Sequence, residues 1–327
     1  ADNKLALNAG WDEAMLRLEL NDLQAMDFNM DLIGFNADEL ADLMADLPGE
    51  GKTDADKAPT VEKVSVSKPG DVWLLGDHRI MCGDSTDAAS VARLMNGELA
   101  VLMQTDPPYG IAYNSADLHP SDVNHAPIEN DELDGPKLQA FLEAMIRAAV
   151  PCLRKNAAFY LWHPMLTQGT FFAAAAAADL LIHRQVIWCK PSLVFGRGDY
   201  HWQHELAFYG WVRGNRPPFY GPRNQTTLWP VGRETSADHP TAKPVGLWLP
   251  PIENHTKPGE IMYEPFSGSG SQIIAAESTV RKCYAMELSP IYVDVAVRRW
   301  QDYTGRAATL EGDGRCFSVI AAGRAGP

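Results

Sequence analysis

No apolar run in the 327 residues approaches the ~20 that a membrane-spanning helix needs, and the start of the chain lacks the basic and apolar regions of a secretion signal. A membrane partner is therefore not expected, and the cytoplasm is the default compartment. Cysteine is scarce: Cys82, Cys152, Cys189, Cys283 and Cys316 lie far apart, without a Cys-x-x-Cys pair or a His-x-x-x-His companion. They read as reduced, mostly buried small hydrophobes, and no metal site is expected. Counting alone leaves open one catalytic cysteine paired with a histidine, but no local nucleophile signature surrounds any of the five. Positive charge is also short. A net charge of -14 argues at first sight against a nucleic-acid partner, because such affinity rests on phosphate neutralisation.

The deficit is uneven. Residues 1–60 hold fourteen acids against Lys4, Arg17, Lys52 and Lys57, and so carry ten of the fourteen net charges. Between Arg184 and Lys243 the balance reverses: Arg184, Lys190, Arg197, Arg213, Arg216, Arg223, Arg233 and Lys243 face Asp199, Glu205, Glu234 and Asp238. A basic segment is thus embedded in an acidic protein whose length allows one large domain with an appendage.

Residues 1–46 read as helices, since Trp11, Met15 and Leu18, then Leu20, Leu23 and Met26, recur at roughly helical spacing. Residues 47–63 have almost no large apolar side chain and read as a linker. From Val64 short strands begin. Val72–Leu75 and Arg79–Met81 flank Gly76-Asp77 as a tight hairpin would, and Leu99–Met103 is an apolar run ending at Thr105-Asp106. Helices are expected over 136–150, Phe171–Leu181, Gln272–Glu277 and Pro290–Trp300. Strands are expected at Ala158–Trp162, Val186–Trp188, Leu206–Tyr209, Ile261–Tyr263 and Cys283–Met286. Strands alternating with helices predict an α/β fold around a mainly parallel sheet, with 313–327 as a C-terminal tail.

The strongest local signal is Asp106-Pro107-Pro108-Tyr109, directly after an apolar strand. Ligands of open α/β sheets gather at the carboxyl ends of strands. Two prolines stiffen the backbone and fix a carboxylate, a carbonyl and an aromatic ring relative to one another. The Asp106 carboxylate and the Pro107 carbonyl can each accept one N–H of an amino group, while the Tyr109 ring offers a face to a planar base. The second signal is Glu264-Pro265-Phe266-Ser267-Gly268-Ser269-Gly270-Ser271, between a strand and a helix. Its glycines let the backbone approach a ligand, and Glu287 follows Gly268 by nineteen positions, near the ~20-residue spacing at which an acid meets a ribose hydroxyl. No Gly-Lys-Ser/Thr follows, so a nucleoside without a phosphate chain fits better than ATP.

With the Asp106 motif upstream of the glycine motif, these segments resemble the amino-methyltransferases that modify DNA, in the permuted order called the β class. The resemblance covers roughly residues 66–312. It also takes in Gly83-Asp84-Ser85, Ile187–Pro191, Gly196–Glu205 and His239–Pro244. It implies a Rossmann-like, circularly permuted fold with a mainly parallel seven-stranded sheet flanked by helices. Residues 64–190 and 239–312 would form the catalytic domain, and 191–238 a region that recognises DNA.

The implied cofactor is S-adenosylmethionine. Asp84 and Ser85 would lie toward its adenine and Thr241 and Lys243 toward its methionine end, with Asp106, Glu264, Phe266, Gly268, Ser269, Gly270, Glu287 and Leu288 completing the site. Asp106, Pro107, Pro108 and Tyr109 would be catalytic. The implied partner is double-stranded DNA from which a base is flipped, and the resemblance favours a homodimer. DNA contacts are expected from Arg197, Arg213, Arg216, Arg223 and Arg233, and Trp202, His204 and Glu205 are further candidates to line the pocket.

In the family, a first Asp rather than Ser favours adenine N6 over cytosine N4, and the Asn that begins the protein-glutamine variant is absent. The alternative of another class is a non-catalytic DNA-binding module. Two departures stand out: Glu264 replaces a more frequent Asp, keeping its charge, and Gln104 brings an amide to an apolar strand. Residues 1–46 are similar to the tail of ParB-like domains fused ahead of such enzymes in phage and prophage proteins, which implies a piece of a longer protein.

Overall fold

The computed structural model describes residues 20, 23, 28, 51–111, 130–194, 199–232 and 243–324. Most of the expected helices in 1–46, together with Arg197, Arg233 and Thr241, lie outside the described residues. The strands are β1 (Val72–Leu75), β2 (His78–Cys82), β3 (Ala100–Thr105), β4 (Leu153–His163), β5 (Leu180–Val194), β6 (Trp202–Val212), β7 (Leu228–Trp229), β8 (Ile261–Glu264), β9 (Lys282–Glu287) and β10 (Thr309–Leu310). The described helices are α1 (Ala88–Met95), α2 (Gly135–Ala149), α3 (Gln168–Ala177), α4 (Leu249–His255), α5 (Ser271–Ser278), α6 (Pro290–Thr304) and α7 (Phe317–Arg324).

All ten strands form one sheet in the order β10-β1-β2-β9-β8-β3-β4-β6-β5-β7. From β2 to β4 the neighbours are parallel, and β6 is antiparallel to both β4 and β5. The seven strands from β2 to β5 in this order match the expected sheet. Three additions correct the count. The Gly76 turn, at φ +59°, folds β1 back on β2, β10 pairs with β1, and β7 adds two residues beside β5.

The six residues of β3 are all buried, as a parallel strand covered on both faces should be, and four of them, Ala100–Met103, are apolar. One face of the sheet is packed by Val91, Leu94, Leu138, Leu142 and Phe171 of α1, α2 and α3. The other is packed by Ile252, Ile273, Ile274, Val297 and Trp300 of α4, α5 and α6. The Asp87 carboxylate caps α1 through Ser90 N at 3.0 Å. Pro290 opens α6, and Gly305 at φ +71° closes it.

Three expectations shift. The alanine-rich helix ends at Ala177 rather than Leu181, because Asp179 turns left-handed at φ +59° and Leu180 opens β5. The short strand expected at Val186–Trp188 is the middle of fifteen residues; Pro191 falls where the pairing with β6 is irregular, the place a strand tolerates a missing donor. The expected tail contains α7, whose Phe317 ring lies 5.0 Å from that of Trp73 and whose Arg324 pairs with Asp71.

The segment expected as a linker has neither helix nor strand over 51–63, yet it is fastened. Lys52 N donates to Tyr303 O at 2.8 Å, and the Asp56 carboxylate accepts Val245 N at 2.7 Å.

Candidate functional site

β3 and β8 are parallel neighbours, but the helix after β3 covers one face of the sheet and the helix after β8 covers the other. The chain therefore diverges between them and leaves a crevice at their carboxyl ends, where open α/β sheets bind ligands. The Asp106 loop and the glycine loop leave from this point. They are tied together beneath it: Thr105 Oγ1 donates to Glu264 Oε1 at 3.1 Å.

The Asp106 loop is held rigidly. One oxygen of Asp131 accepts both Tyr109 N and Gly110 N at 2.9 Å, and Thr167 Oγ1 donates to Tyr109 O at 2.9 Å. Gly110 is required there, since at φ +67° a Cβ would come within 2.4 Å of Leu133 O. The Tyr109 hydroxyl donates to Asp106 Oδ1 at 2.7 Å, and its ring meets Phe171 edge-on at 6.4 Å. Burial and the Asp106 and Glu205 carboxylates push the Tyr109 phenol well above its ordinary range, so it stays a neutral donor. Sequence reasoning passed over Asp131 and Thr167, which are remote from the motif in sequence and meet it only through the fold.

A chain of alternating charges runs away from Asp106. The Lys243 ammonium, with a side chain only 4% exposed, pairs with Asp106 Oδ2 and with Glu205 Oε2 at 3.1 Å. Glu205 Oε1 in turn takes Lys190 Nζ at 2.6 Å. Burial would favour a neutral amine, but the two carboxylates outweigh it and hold Lys243 above the ordinary lysine value, hence charged. Lys243, expected toward the methionine end of the cofactor, meets two carboxylates of its own chain.

Glu205 is opposed by its burial, yet Lys243 and Lys190 together pull its carboxyl down to about 2. Its pairing thus stabilises the fold above the ordinary carboxylate value of 4.5, and that contribution disappears as pH falls toward 2. Unfolding of Glu205→Gln, followed by urea titration, is expected to depend less on pH between 4.5 and 2 than that of the wild type. Parallel curves would remove Glu205 from the network.

The glycine loop is built from three sides. Gly268 N donates to Glu287 Oε2 at 2.8 Å, and Ser289 N donates to Oε1 of the same carboxylate at 2.9 Å. Gly83 N donates to Glu287 O at 2.9 Å, which brings Asp84 and Ser85 after β2 to the rim where Glu287, Leu288 and Gly268 lie. From behind, Arg299 Nη1 donates to Ser269 O at 3.2 Å, to Ser269 Oγ at 3.1 Å and to Ser271 Oγ at 3.0 Å. A Cβ on Gly270, at φ +80°, would lie 2.8 Å from Ala296 Cβ, whereas one on Gly268, at φ +51°, would meet nothing within 4 Å. Gly270 therefore serves packing, and Gly268 faces open space. Asp84 is exposed and bonds Thr86 N and Oγ1 at 2.8 Å, while Ser85 is buried and Phe266 half-buried.

Glu264 requires a correction. The sequence suggests a retained charge, but the residue is 0% exposed and burial pushes its carboxyl well above the ordinary range. Burial thus favours the neutral acid, and its Oε1 accepts Thr105 Oγ1 and, at 2.7 Å, Phe266 N, so it shapes the loop from below. Because the unfolded chain ionises near 4.5 and the folded one only at higher pH, this group favours folding at low pH and opposes it as pH rises above 4.5. Glu264→Gln, isosteric with the neutral acid, is expected to raise the urea midpoint relative to wild type at pH 8 more than at pH 4. An equal shift at both would show an ionised Glu264. Gln104 also has a role: its Nε2 donates to Trp248 O at 3.4 Å, five residues beyond Lys243.

Of the expected DNA-contact arginines, the three among the described residues, Arg213, Arg216 and Arg223, are not gathered at this rim. β6 enters beyond the end of β4, with Leu206 opposite His163, so Trp202–Glu205 project past the crevice. Arg213, beyond the other end of β6, faces Asp179 at 3.8 Å; the eight residue steps from Glu205 put it about 26 Å away at strand spacing. Arg216 is an electrostatic neighbour of His183 and Tyr209, also toward that far end, and Arg223 is exposed on the return to β7. What the ribbon of β5 and β6 presents near the rim is Tyr200 at 92% exposure, Trp202 and His204. Beside them is a concavity of about 320 Å³ lined by Ile187, Cys189, Lys190, Gln203 and His204.

Among the described residues no cluster of His, Cys, Asp and Glu could hold a metal, and no helix is long and apolar enough to cross a membrane. All five cysteines are free thiols, and Cys82, Cys152 and Cys283 are buried.

Comparison with known proteins agrees with this architecture. Residues 101–298 match a family model described as DNA methylase, and residues 14–69 match one described as ParB-methyltransferase HTH domain. The Type II methyltransferase M.Cfr9I of Citrobacter freundii is 39% identical over 100 residues, which cover 30% of this chain and 33% of that protein. M.XycI of Xanthomonas campestris pv. cyanopsidis is 34% identical over 99 residues, with 30% and 33% covered. The chain thus spans about a third of the length of these curated relatives.

Two solved structures share the fold. The M1.HpyAVI–SAM complex aligns with a TM-score of 0.52 at 20% identity over 67% of this chain and 98% of that one. The cytosine-N4-specific PvuII DNA methyltransferase aligns with 0.53 at 13% identity over 73% and 90%.

Proposed function

Because the chain belongs to the DNA methylase family, we propose that it transfers a methyl group from S-adenosylmethionine to N6 of an adenine flipped out of duplex DNA. The observation that carries this reading is the junction of β3 and β8: Thr105 and Glu264 bind each other directly beneath the Asp106 loop and the glycine loop. The residues present fit the cofactor. Gly268 turns toward open space beside the Glu287 carboxylate, and Asp84, Phe266 and Leu288 surround the same rim. The buried Ser267 hydroxyl at the turn has no bonding partner among the described residues. When bound, S-adenosylmethionine supplies an electrophilic methyl on a sulfonium.

The chain's own part is to activate a poor nucleophile, since the lone pair of an adenine amine is delocalised into the ring. A carboxylate offers about four acceptor positions. Tyr109 and Lys243 take one on each Asp106 oxygen, so room remains for an N–H of the amine. Accepting that N–H, and a second at the Pro107 carbonyl, draws the nitrogen toward tetrahedral geometry and stabilises the positive charge that develops on attack. Tyr109 provides the stacking face, and unstacking the base costs a few kcal/mol. Holding amine and methyl in line supplies much of the acceleration. No covalent bond to the chain is needed.

Purified protein incubated with labelled S-adenosylmethionine and duplex DNA, followed by digestion and mass analysis, is expected to yield N6-methyladenine. N4-methylcytosine would reassign the target, while label in no nucleoside would overturn the enzyme reading and favour a binding module.

A further inference from the structure

We infer that Asp56, in the segment that precedes the catalytic core, is a positioning residue that couples the two halves of the cofactor site. The inference rests on the cofactor site proposed above. Asp56 lies in the stretch that matches the accessory ParB-methyltransferase HTH model, outside the stretch that matches the methylase.

Two facts of geometry converge on it. Its Oδ1 accepts Val245 N at 2.7 Å, two residues after the Lys243 that pairs with Asp106. Its neighbour Ala55 offers a carbonyl to Arg299 Nη2 at 2.7 Å, and Nη1 of that guanidinium binds Ser269 O, Ser269 Oγ and Ser271 Oγ of the glycine loop.

Arg299 is 3% exposed, and burying a guanidinium is costly unless its charge is answered. Burial lowers its value to about 10, and Asp56 and Asp54 are the charges that oppose the fall. The segment is itself fixed, since Asp54 Oδ1 accepts Asp56 N at 2.9 Å and Lys52 N binds Tyr303 O at 2.8 Å on α6. One short stretch thus supports the Lys243 strap with a side chain and the glycine loop with a carbonyl relayed through Arg299. A passive connector would make neither contact.

Removing the carboxylate frees Val245 N and leaves Arg299 with less opposing charge, so both sides of the crevice loosen. The test uses the full chain. Asp56→Ala is expected to raise the dissociation constant for S-adenosylmethionine, read by calorimetry, about tenfold, the scale of one lost bond to a charged acceptor. Hydrogen exchange should quicken at the backbone of 243–246 and 267–271, with the melting temperature within a few degrees of wild type. Asp56→Asn, which keeps an acceptor for Val245 N, should recover part of the affinity, and Lys57→Ala, on an exposed neighbour, should change nothing. If wild type binds and Asp56→Ala matches it in affinity and exchange, the inference is overturned alone. If wild type does not bind the cofactor, the functional reading fails and the inference falls with it.

Discussion

Asp106→Ala is expected to lower the transfer rate by at least about 10²- to 10³-fold while changing cofactor affinity no more than a few-fold. The magnitude is that of deleting one preorganised group aimed at developing charge. The separation of the two effects follows from placement. Asp106 stands at the tip of β3, bound to Tyr109 and Lys243, whereas the glycine loop is fixed by Glu287, Glu264 and Arg299. The substitution leaves those three contacts intact. Single-turnover rates with duplex DNA and direct binding of the cofactor measure the two quantities separately. Retained turnover would remove Asp106 from its role, and a parallel collapse of cofactor binding would make it a structural residue. Asp106→Asn adds a finer comparison: it keeps one acceptor oxygen but no charge, so its rate should fall between wild type and alanine if accepting the N–H matters beside neutralising the nitrogen.

Those elements were legible in the sequence to the degree that their physics is local. The apolar run that opens β3 and leads to Thr105-Asp106, a glycine turn between β8 and α5, and Pro290 at the start of α6 each announce themselves within a few residues. What the sequence hid is set by contacts between distant segments. Glu264 keeps the formula of an acid, and only its complete burial at the junction of β3 and β8 raises its carboxyl well above the ordinary range. Arg213 and Arg216 belong to a basic stretch that looks suited to phosphates, but the direction of β6 carries them to the end away from the crevice. Asp131 and Asp56 have no motif around them, and their roles appear only when the chain folds back on the Asp106 loop and on Val245. The amphipathic signal of Phe317–Arg324 is weak, so a helix that completes the packing of Trp73 reads as a tail.

Lys243→Met tests the charge network at its centre, and a double-variant cycle with Glu205→Gln measures the coupling of Lys243 to Glu205. Methionine preserves length and apolar contact against Tyr109 and Trp162, whose rings lie 5.5 and 5.1 Å from the ammonium. What it removes is the one charge between Asp106 and Glu205. Truncating one partner of a buried ion pair costs about 3 to 5 kcal/mol. Here Asp106 and Glu205 remain 29% and 26% exposed, and Glu205 keeps Lys190, so solvent screening brings the expectation to roughly 2 to 3 kcal/mol. Glu205→Gln in the Lys243→Met background removes the repulsion created by the first change. The double variant should therefore lose less stability than the sum of the singles, by about 1 kcal/mol or more. Activity should not recover with it, because Asp106 still lacks the ammonium that holds one of its oxygens in place. Additive losses in urea denaturation would mean that Lys243 and Glu205 are not coupled, whereas recovery of turnover in the double variant would mean that the ammonium only balances charge and does not orient the carboxylate.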